Sequence, residues 1–418
     1  MIDPTHGRYL LPTTHVENAL DASPEISTLQ RRVFFDPNER ASSSKRIIKA
    51  ENITLTEDEL RHVRGNDEWT YYKVWEMKDE FLEDTRGRGV DVVYVHGYRE
   101  YGFVMTTLQT MPWAKQIGLY ANIPSFTAGF RVILPDMPGV RPGSYHGHGA
   151  LTSRTALMLC SPLACGRSKS MVELPDVNTL PNAISVHGFL PNARSLPDAV
   201  FTVLQDLRTL SPSPAASPPR KVFLTGTSMG GLTVLYALTV ADRLTEEERE
   251  KMPPVNGAFA MCPLLDVPDR PNAVVTAVGK LLCKVAGKVP LLDGGPIDLI
   301  SDDPRVPAEF RQDPMNYTGK LRIATGIALL NAFTETVDNA GYTKTPIRLL
   351  HGDADRTTSH KASMKYMDAV TSADKSIKIY KGYQHVMVKI VDGKSEEADF
   401  ANNSAVLNDW KAWLLERA

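Results

Sequence analysis

The segment Gly226-Thr227-Ser228-Met229-Gly230 lies between a short apolar run, residues 221–225, and an apolar helical stretch, residues 232–238. This order predicts a strand, a sharp turn and a helix, with the serine at the apex of the turn. Glycines on both sides indicate that the turn brings the backbone too close to its neighbours for a Cβ atom. The turn would hold the Ser228 hydroxyl above a sheet, and the N–H of Met229 would point toward the same space. The segment therefore predicts a nucleophile and one donor of an oxyanion hole.

From about residue 70 onward, short β-rich runs alternate with helix-sized segments, which is typical of a mostly parallel sheet flanked by helices. Several runs are almost continuously apolar, as expected for strands that are covered on both faces. The predicted strands span residues 71–76, 90–95, 131–135, 222–226, 257–261, 347–351 and 377–380. The predicted helices include residues 198–210, 231–243, 359–369 and 398–417. The chain is therefore expected to be an α/β protein.

Two insertions and an N-terminal segment interrupt this alternation. Residues 1–50 are polar with scattered prolines and are expected to form a mostly irregular arm. The core is expected to comprise residues 51–263 and 346–418, with an unusually long insertion at about 140–197 that is rich in Gly, Pro and Ser. Residues 264–345 separate two predicted strands and carry helical periodicity, which predicts a helical cap over the ends of the sheet.

A serine hydroxyl becomes an effective nucleophile only when a base removes its proton and a third group orients that base. After a strand–turn–helix of this kind, the acid and then the histidine are expected to follow later strands. His385 follows the last predicted strand, and two acids, Asp353 and Asp355, follow the strand before it. Three other histidines lack this context and are interpreted as structural or surface residues: His187, His351 and His360.

The choice between the two acids rests on their distance from the strand. Asp353 comes directly after Gly352, where its side chain is suited to bracing the loop as an Asx-turn. Asp355 lies further along the loop, where its carboxylate could reach the Nδ1–H of His385. Asp355 is therefore the predicted acid.

The loop after an early strand should supply the second oxyanion donor. Residues 92–95 form an apolar run that is followed by His96, Gly97 and Tyr98. The N–H of Tyr98 is predicted to face the serine and to act together with the N–H of Met229. His96 is expected to pack under the loop rather than take part in chemistry.

Composition narrows the class of protein further. The 418-residue chain is 42% hydrophobic and 23% charged with a formal charge of −2, which does not favour binding to nucleic acid. No stretch approaches the about 18 apolar residues of a membrane span, and the first residues show no signal-peptide pattern. We therefore expect a cytoplasmic protein.

The four cysteines lack metal-ligand spacing and are expected to be free thiols: Cys160, Cys165, Cys262 and Cys283.

Four segments resemble the monoacylglycerol lipase-like serine hydrolases of the α/β-hydrolase fold, related to S33 serine aminopeptidases and lysophospholipases. They are Val95-His96-Gly97 and residues 226–231, 351–356 and 378–385. The resemblance covers roughly residues 65–418 and implies a Ser–His–Asp triad without metal or cofactor. Its implied members are Ser228, Asp355 and His385, with N–H donors from Tyr98 and Met229.

The chain departs from the family in two places. Tyr98 stands where the family commonly has a small residue after His-Gly, so its ring is expected to crowd the acyl channel or contact the substrate. The insertion at about 140–197 disturbs a family segment after the third strand and is expected to shape the pocket entrance.

The predicted reaction is hydrolysis of a carboxylic ester through an acyl-enzyme. The resemblance implies a monoacylglycerol or a similar acyl ester, and peripheral contact of the cap with membranes or lipid droplets. A lysophospholipid or a small soluble ester stays open as the substrate. Apolar cap residues are interpreted mainly as the cap's own core rather than as an acyl tunnel: residues 274–275, 278, 281–282 and 327–330.

Two other functions stay open on the same fold. An aminopeptidase would need an acidic recess for the substrate's ammonium group, and the candidates for it are Asp298, Asp302 and Asp303. A non-catalytic ligand-binding receptor would not need serine, acid and histidine together, and their presence argues against it.

Overall fold

Apolar runs in the middle of the chain form a nine-stranded sheet in the computed structural model. The structure describes residues 26–35, 47–52, 68–82, 84–98, 128–137, 188–210, 220–250, 254–268, 270–312, 317–388 and 396–418. Its strands are β1 (Ile26–Phe35), β2 (Ile47–Asn52), β3 (Glu68–Met77), β4 (Val90–Val95), β5 (Arg131–Pro135), β6 (Lys221–Thr227), β7 (Val255–Met261), β8 (Pro290–Leu292), β9 (Leu321–Arg322), β10 (Ile347–Gly352) and β11 (Lys375–Tyr380).

The order of strands in the main sheet is β11-β10-β7-β6-β4-β5-β3-β1-β2. The six strands from β11 to β5 are parallel, whereas β3, β1 and β2 run antiparallel to their neighbours at one edge. The expected mostly parallel α/β sheet is therefore confirmed. Because β6, β7, β10 and β11 are parallel neighbours, the loops after their carboxyl ends meet at one edge of the sheet, where α/β proteins bind ligands.

Helices cover the sheet and also occur in the segment between β7 and β10. They are α1 (Ser195–Leu210), α2 (Met229–Ala241), α3 (Glu246–Arg249), α4 (Ala273–Ala286), α5 (Arg305–Gln312), α6 (Ile323–Asp338), α7 (His360–Ala369) and α8 (Glu396–Leu415). Short 3₁₀ turns lie at Asp79–Phe81, Ile297–Leu299 and Ala340–Tyr342. The helices α4, α5 and α6 fall within the segment that the sequence predicts as a cap.

The core lies between the central strands and the helices that pack on them. Every residue of β4 is buried, as expected for a strand with both faces covered. Helix α2 is apolar nearly all round because it packs against β6, β7, α1 and α6. Helix α8 covers the face of β6 that carries Phe223 and Thr225. There, Trp413 packs edge-on against Phe223, and the indole N–H of Trp410 donates to Thr225 Oγ1 at 3.1 Å.

The sequence predicts an irregular arm over residues 1–50. This expectation was wrong for residues 26–35 and 47–50, because β1 and β2 belong to the main sheet. Strand β1 places a charged residue, Arg31, in the interior. Its guanidinium donates to both carboxylate oxygens of Asp206 in α1, at 2.7 and 2.9 Å, and Tyr72 donates to the same carboxylate. A strand is recognised in a sequence by alternating apolar residues. In β1 a buried position is instead occupied by Arg31, whose charge is paired with Asp206.

Several predictions concern segments outside the described residues. They are the rest of the N-terminal arm, residues 140–187 of the long insertion, and Cys160 and Cys165. Within the described ranges, Cys262 and Cys283 are free thiols. No helix in those ranges is long and apolar enough to cross a membrane.

Candidate active site

Ser228 lies on the sharp turn between β6 and α2 with φ 57° and ψ −119°, a conformation that is strained for a residue with a side chain. A Cβ atom added to Gly226 would lie 2.3 Å from the Gly230 carbonyl oxygen, and one added to Gly230 would lie 2.0 Å from that of Val95. Only glycine fits at either position. The strand, turn and helix thus occur where the sequence predicts them, with Met229 as the first residue of the helix.

Backbone hydrogen bonds hold this turn against the end of β7. The N–H of Ser228 donates to the carbonyl of Met261 at 3.0 Å, and the Ser228 carbonyl accepts from the N–H groups of Leu232 and Leu264, each at 3.0 Å. The serine is half-buried. The Met229 N–H belongs to the first turn of α2, where N–H groups have no acceptor within the helix.

The loop after β4 is organised by a buried histidine. The N–H of Met137 donates to His96 Nε2 at 3.0 Å, so the ring proton sits on Nδ1, which lies 2.8 Å from the Gly97 carbonyl. His96 is 1% exposed, in agreement with its expected packing under the loop. It therefore supports the backbone that leads to Tyr98.

Tyr98 lies between this loop and the segment predicted as a cap. Its hydroxyl donates to the carbonyl of Gly188 at 3.4 Å, and its ring meets that of Tyr317 edge-on with centroids 6.4 Å apart. Thr325 at the start of α6 also donates to the Gly188 carbonyl and accepts from the N–H of Leu190. The Tyr98 ring thus lies where the cap segment meets the core.

The structure brings Asp355 and His385 together. Asp355 Oδ2 lies 2.8 Å from His385 Nδ1, and the Asp355 side chain is fully buried. The backbone N–H groups of Thr357 and Thr358 donate to the other oxygen, Oδ1, at 2.7 and 2.9 Å. Burial raises the pKa of Asp355, but hydrogen bonds from His351 and His385 outweigh it and hold the pKa below its usual range. The carboxylate is therefore ionised at neutral pH.

Asp353 braces the loops instead of contacting the histidine. Its Oδ1 accepts the N–H of Gly382 at 2.6 Å, so it ties the loop after β10 to the loop after β11. The two loops are in close contact, because a Cβ atom added to Gly352 would lie 2.1 Å from the Tyr383 carbonyl oxygen. The bracing role expected from the sequence is seen, although it acts across two loops rather than within one.

Three residues near Asp355 were not assigned to the site from the sequence. His351 Nε2 lies 3.2 Å from Asp355 Oδ2, and the Thr358 hydroxyl donates to that oxygen at 2.8 Å. Cys262, which has φ 42°, is fully buried beside them. Burial, reinforced by the charge of Asp355, raises the pKa of the Cys262 thiol well above its ordinary value, so the thiol stays protonated. Cys262 follows β7 and lies near Asp355 because β7 pairs with β10. No local sequence pattern indicates this proximity.

Asp302, in the segment between β8 and α5, contacts the loops that follow β10 and β11. Its carboxylate accepts hydrogen bonds from Arg356 and Gln384, the residues next to Asp355 and His385, and its own N–H donates to Gln384 Oε1 at 2.6 Å. The N–H of Val386 donates to the Ile300 carbonyl at 3.1 Å. The position of the histidine loop is thus linked to the segment that the sequence predicts as the cap.

Helix α4 departs from the expectation that its apolar residues form the cap's own core. One of its faces packs on α6, where a Cβ atom added to Gly279 would lie 2.9 Å from Ile327. Its other apolar side chains face solvent, with Val274 72% and Val285 86% exposed. In contrast, the α6 residues named with them from the sequence are buried: Ala328, Leu329 and Leu330.

Comparison with known proteins agrees with this architecture. Residues 187–389 match the family described as serine aminopeptidase, S33. The chain is 30% identical over 155 residues to a monoacylglycerol lipase of Mycolicibacterium smegmatis, covering 37% of this chain and 51% of that protein. It is 29% identical over 198 residues to a caffeoylshikimate esterase of Arabidopsis thaliana, covering 47% and 55%. The chain thus spans about half the length of these curated relatives.

A solved structure shows the same fold over a longer range. The monoacylglycerol lipase of Paleococcus ferrophilus superposes with a TM-score of 0.51 at 19% identity, covering 84% of this chain and 99% of that one. The chain therefore has the α/β-hydrolase fold. In sequence, the part of the chain that matches the family model is similar to monoacylglycerol lipases.

Proposed function

We propose that this protein hydrolyses carboxylic esters through Ser228, with His385 as the base and Asp355 as the acid that orients it. The observation that carries the proposal is the 2.8 Å contact between Asp355 Oδ2 and His385 Nδ1. It lies at the sheet edge from which the Ser228 turn also projects, because β6, β10 and β11 are parallel. Acyl transfer requires a nucleophile, a base and an acid close together, and their location at one sheet edge supports the proposal.

The proposed reaction has two steps. His385 accepts the Ser228 proton as the hydroxyl oxygen attacks the ester carbonyl, and the resulting oxyanion accepts hydrogen bonds from the N–H groups of Met229 and Tyr98. His385 then gives the proton to the leaving alcohol, which departs and leaves an acyl-serine. Water, deprotonated by His385, cleaves this acyl-enzyme and regenerates Ser228. Asp355 stabilises the imidazolium that forms in each step.

A monoacylglycerol or a similar acyl ester is the proposed substrate. Support comes from the match to a relative named as a monoacylglycerol lipase and from the apolar surface of α4. The match to a relative named as a caffeoylshikimate esterase keeps other esters open, among them lysophospholipids and small soluble esters.

The ion pairs of the cap segment do not favour an aminopeptidase. Arg311 donates to Asp298 at 2.6 Å, and Arg356 and Gln384 donate to Asp302. Two of the three acids that could recognise a substrate's ammonium group are thus already paired with arginine. Ester hydrolysis therefore has better support than peptide hydrolysis.

We expect kcat/KM for p-nitrophenyl esters to rise from acetate to longer acyl chains, and monoacylglycerols to be hydrolysed while aminoacyl amides are not. Each buried CH₂ contributes about 0.8 kcal/mol, or about fourfold in kcat/KM. Initial rates across the series measure kcat/KM, and a preference for acetate would contradict a long acyl group.

In the same series of esters, Tyr98→Ala should change the preferred acyl-chain length, since the Tyr98 ring is proposed to contact the acyl chain. Tyr98→Phe keeps the ring and should preserve the preferred length.

We further propose that α4 contacts lipid surfaces peripherally. Its exposed apolar residues stand beside Lys280 and Lys284, which are also exposed and favour an anionic surface. The double variant Leu281→Ser/Val285→Ser should lower co-sedimentation with vesicles of mixed neutral and anionic phospholipid. Met364→Ser, which changes an exposed apolar residue of α7, is the control and should bind as the wild type does. Equal binding of all three proteins would refute contact through α4.

A further inference from the structure

The carboxylate of Asp355 is surrounded by more donors than a Ser–His–Asp triad needs. Oδ1 accepts the backbone N–H groups of Thr357 and Thr358. Oδ2 faces His385 Nδ1 and Thr358 Oγ1, each at 2.8 Å, and His351 Nε2 at 3.2 Å. The side chains of His351 and Asp355 are both fully buried. Two polar side chains besides the proposed base thus converge on the oxygen that the base uses.

The surroundings of His351 determine which of its nitrogens carries the proton. The atoms that face Nε2 are Asp355 Oδ2 and the Thr358 oxygen, each 3.2 Å away. An ionised carboxylate can only accept a hydrogen bond, so we infer that Nε2 carries the ring proton. Nδ1 then accepts from the hydroxyl of Ser363, whose Oγ lies 2.8 Å away. Burial lowers the pKa of His351 below its usual value despite the opposing effect of Asp355, and the nearby rings of His385 and His360 act in the same direction. The ring is therefore neutral at neutral pH.

The hydroxyl of Thr358 has two possible acceptors and one proton. Its Oγ1 lies 2.8 Å from Asp355 Oδ2 and 3.2 Å from the Cys262 carbonyl oxygen, which are both acceptors, whereas His351 Nε2, also at 3.2 Å, carries a proton and can only donate to it. The carboxylate is the nearest acceptor and the only charged one, so it takes the proton. Without this hydroxyl, Oδ2 would lose one of the donors that keep the carboxylate from turning away from His385.

We propose that His351 and Thr358 are positioning residues, which hold the Asp355 carboxylate in the orientation that accepts the Nδ1–H of His385. This inference rests on the proposed function, because it assigns the support of that triad. Both residues are buried behind the acid and act on the reaction only through Asp355 and His385. Their loss should therefore lower kcat and leave KM unchanged.

The first test needs no turnover. In the full-length protein with ¹⁵N-labelled histidine, NMR should show His351 as the neutral tautomer protonated at Nε2. The resonance is assigned by its loss in His351→Gln and, independently, by its shift in Ser363→Ala, which removes the partner of Nδ1. A ring protonated at Nδ1 would overturn the proposal, because His351 could not then donate to Asp355. The tautomer does not depend on whether the protein is an ester hydrolase. The proposed hydrolase function would be refuted by a different result, namely that the wild-type protein hydrolyses no ester and takes no fluorophosphonate label.

The second test uses variants of nearly equal shape. Thr358→Val should lower kcat about tenfold with KM unchanged, the loss of roughly one hydrogen bond to a charged group. Thr358→Ser keeps the hydroxyl and should restore most of the rate. Thr336→Val, which removes a buried hydroxyl that donates to the Ala332 carbonyl within α6, controls for a general effect of the substitution.

The outcomes of this series are distinct. A serine variant as slow as the valine variant, or a valine variant as fast as wild type, would overturn the role of Thr358. His351→Gln retains an N–H donor and should be faster than His351→Leu, and equal rates would overturn the role of His351. Thermal unfolding shows whether each variant is folded, and the NMR tautomer decides the matter for His351 if its variants are not.

Discussion

Ser228→Ala is expected to lower kcat for ester hydrolysis by about 10⁵–10⁶-fold and to abolish labelling by a fluorophosphonate probe. The substitution removes the oxygen that attacks the carbonyl, and no neighbouring group can replace it on the turn. Alanine keeps a Cβ atom at φ 57°, so the strained turn and the fold should be retained. The measurement is steady-state hydrolysis together with in-gel detection of the probe.

Ser372→Ala is a suitable control for this experiment. Ser372 is buried in a turn before β11, where its hydroxyl donates to the carbonyl of Asp374. The control variant should label as the wild type does. Full labelling of Ser228→Ala, or no labelling of a well-folded wild-type protein, would refute the assignment of Ser228 as the nucleophile.

Asp355→Asn is expected to lower kcat by about 10⁴-fold. Asparagine can place its NH₂ group toward His385, which then presents an unprotonated Nδ1 and carries its proton on Nε2. In that tautomer the ring cannot accept the proton of Ser228. The loss of the negative charge also removes stabilisation of the imidazolium. The pH profiles of kcat and kcat/KM for a soluble p-nitrophenyl ester measure the effect.

The same substitution at Asp353 provides a matched comparison two residues away. Asp353 contacts the N–H of Gly382, and an asparagine oxygen can accept that hydrogen bond equally well. Asp353→Asn should therefore retain activity close to that of the wild type. Equal losses at the two positions would mean that Asp355 is not the acid of the triad.

Much of the proposed site could be predicted because its parts are local in sequence. The turn around Ser228 is specified by the glycines at 226 and 230, since any Cβ atom there would clash with backbone. Asp355 and His385 could be located because each follows a strand, and parallel strands bring such loops to one edge. Their contact of 2.8 Å agrees with that reasoning.

The features that escaped prediction depend on contacts between distant segments. Strand β1 was missed because Arg31 finds its partner, Asp206, 175 residues away in α1. The exposure of α4 could not be read from its periodicity, since an apolar stripe looks the same whether or not another element covers it. His351 lies within β10, and its position in the sequence does not indicate a contact with the acid. The contact forms because the turn after β10 brings Asp355 back toward the His351 ring.

The amino-acid sequence by itself determined the α/β class, the strained serine turn and the chain order of serine, acid and histidine. Each of these follows from local periodicity or from steric limits on neighbouring backbone. Only the tertiary structure decided which polar side chains surround the acid, how Asp302 links the cap segment to the histidine loop, and which apolar face of α4 stays exposed. Those features depend on strand pairing and helix packing between residues far apart in sequence, because burial and hydrogen-bond partners are set by neighbours in space.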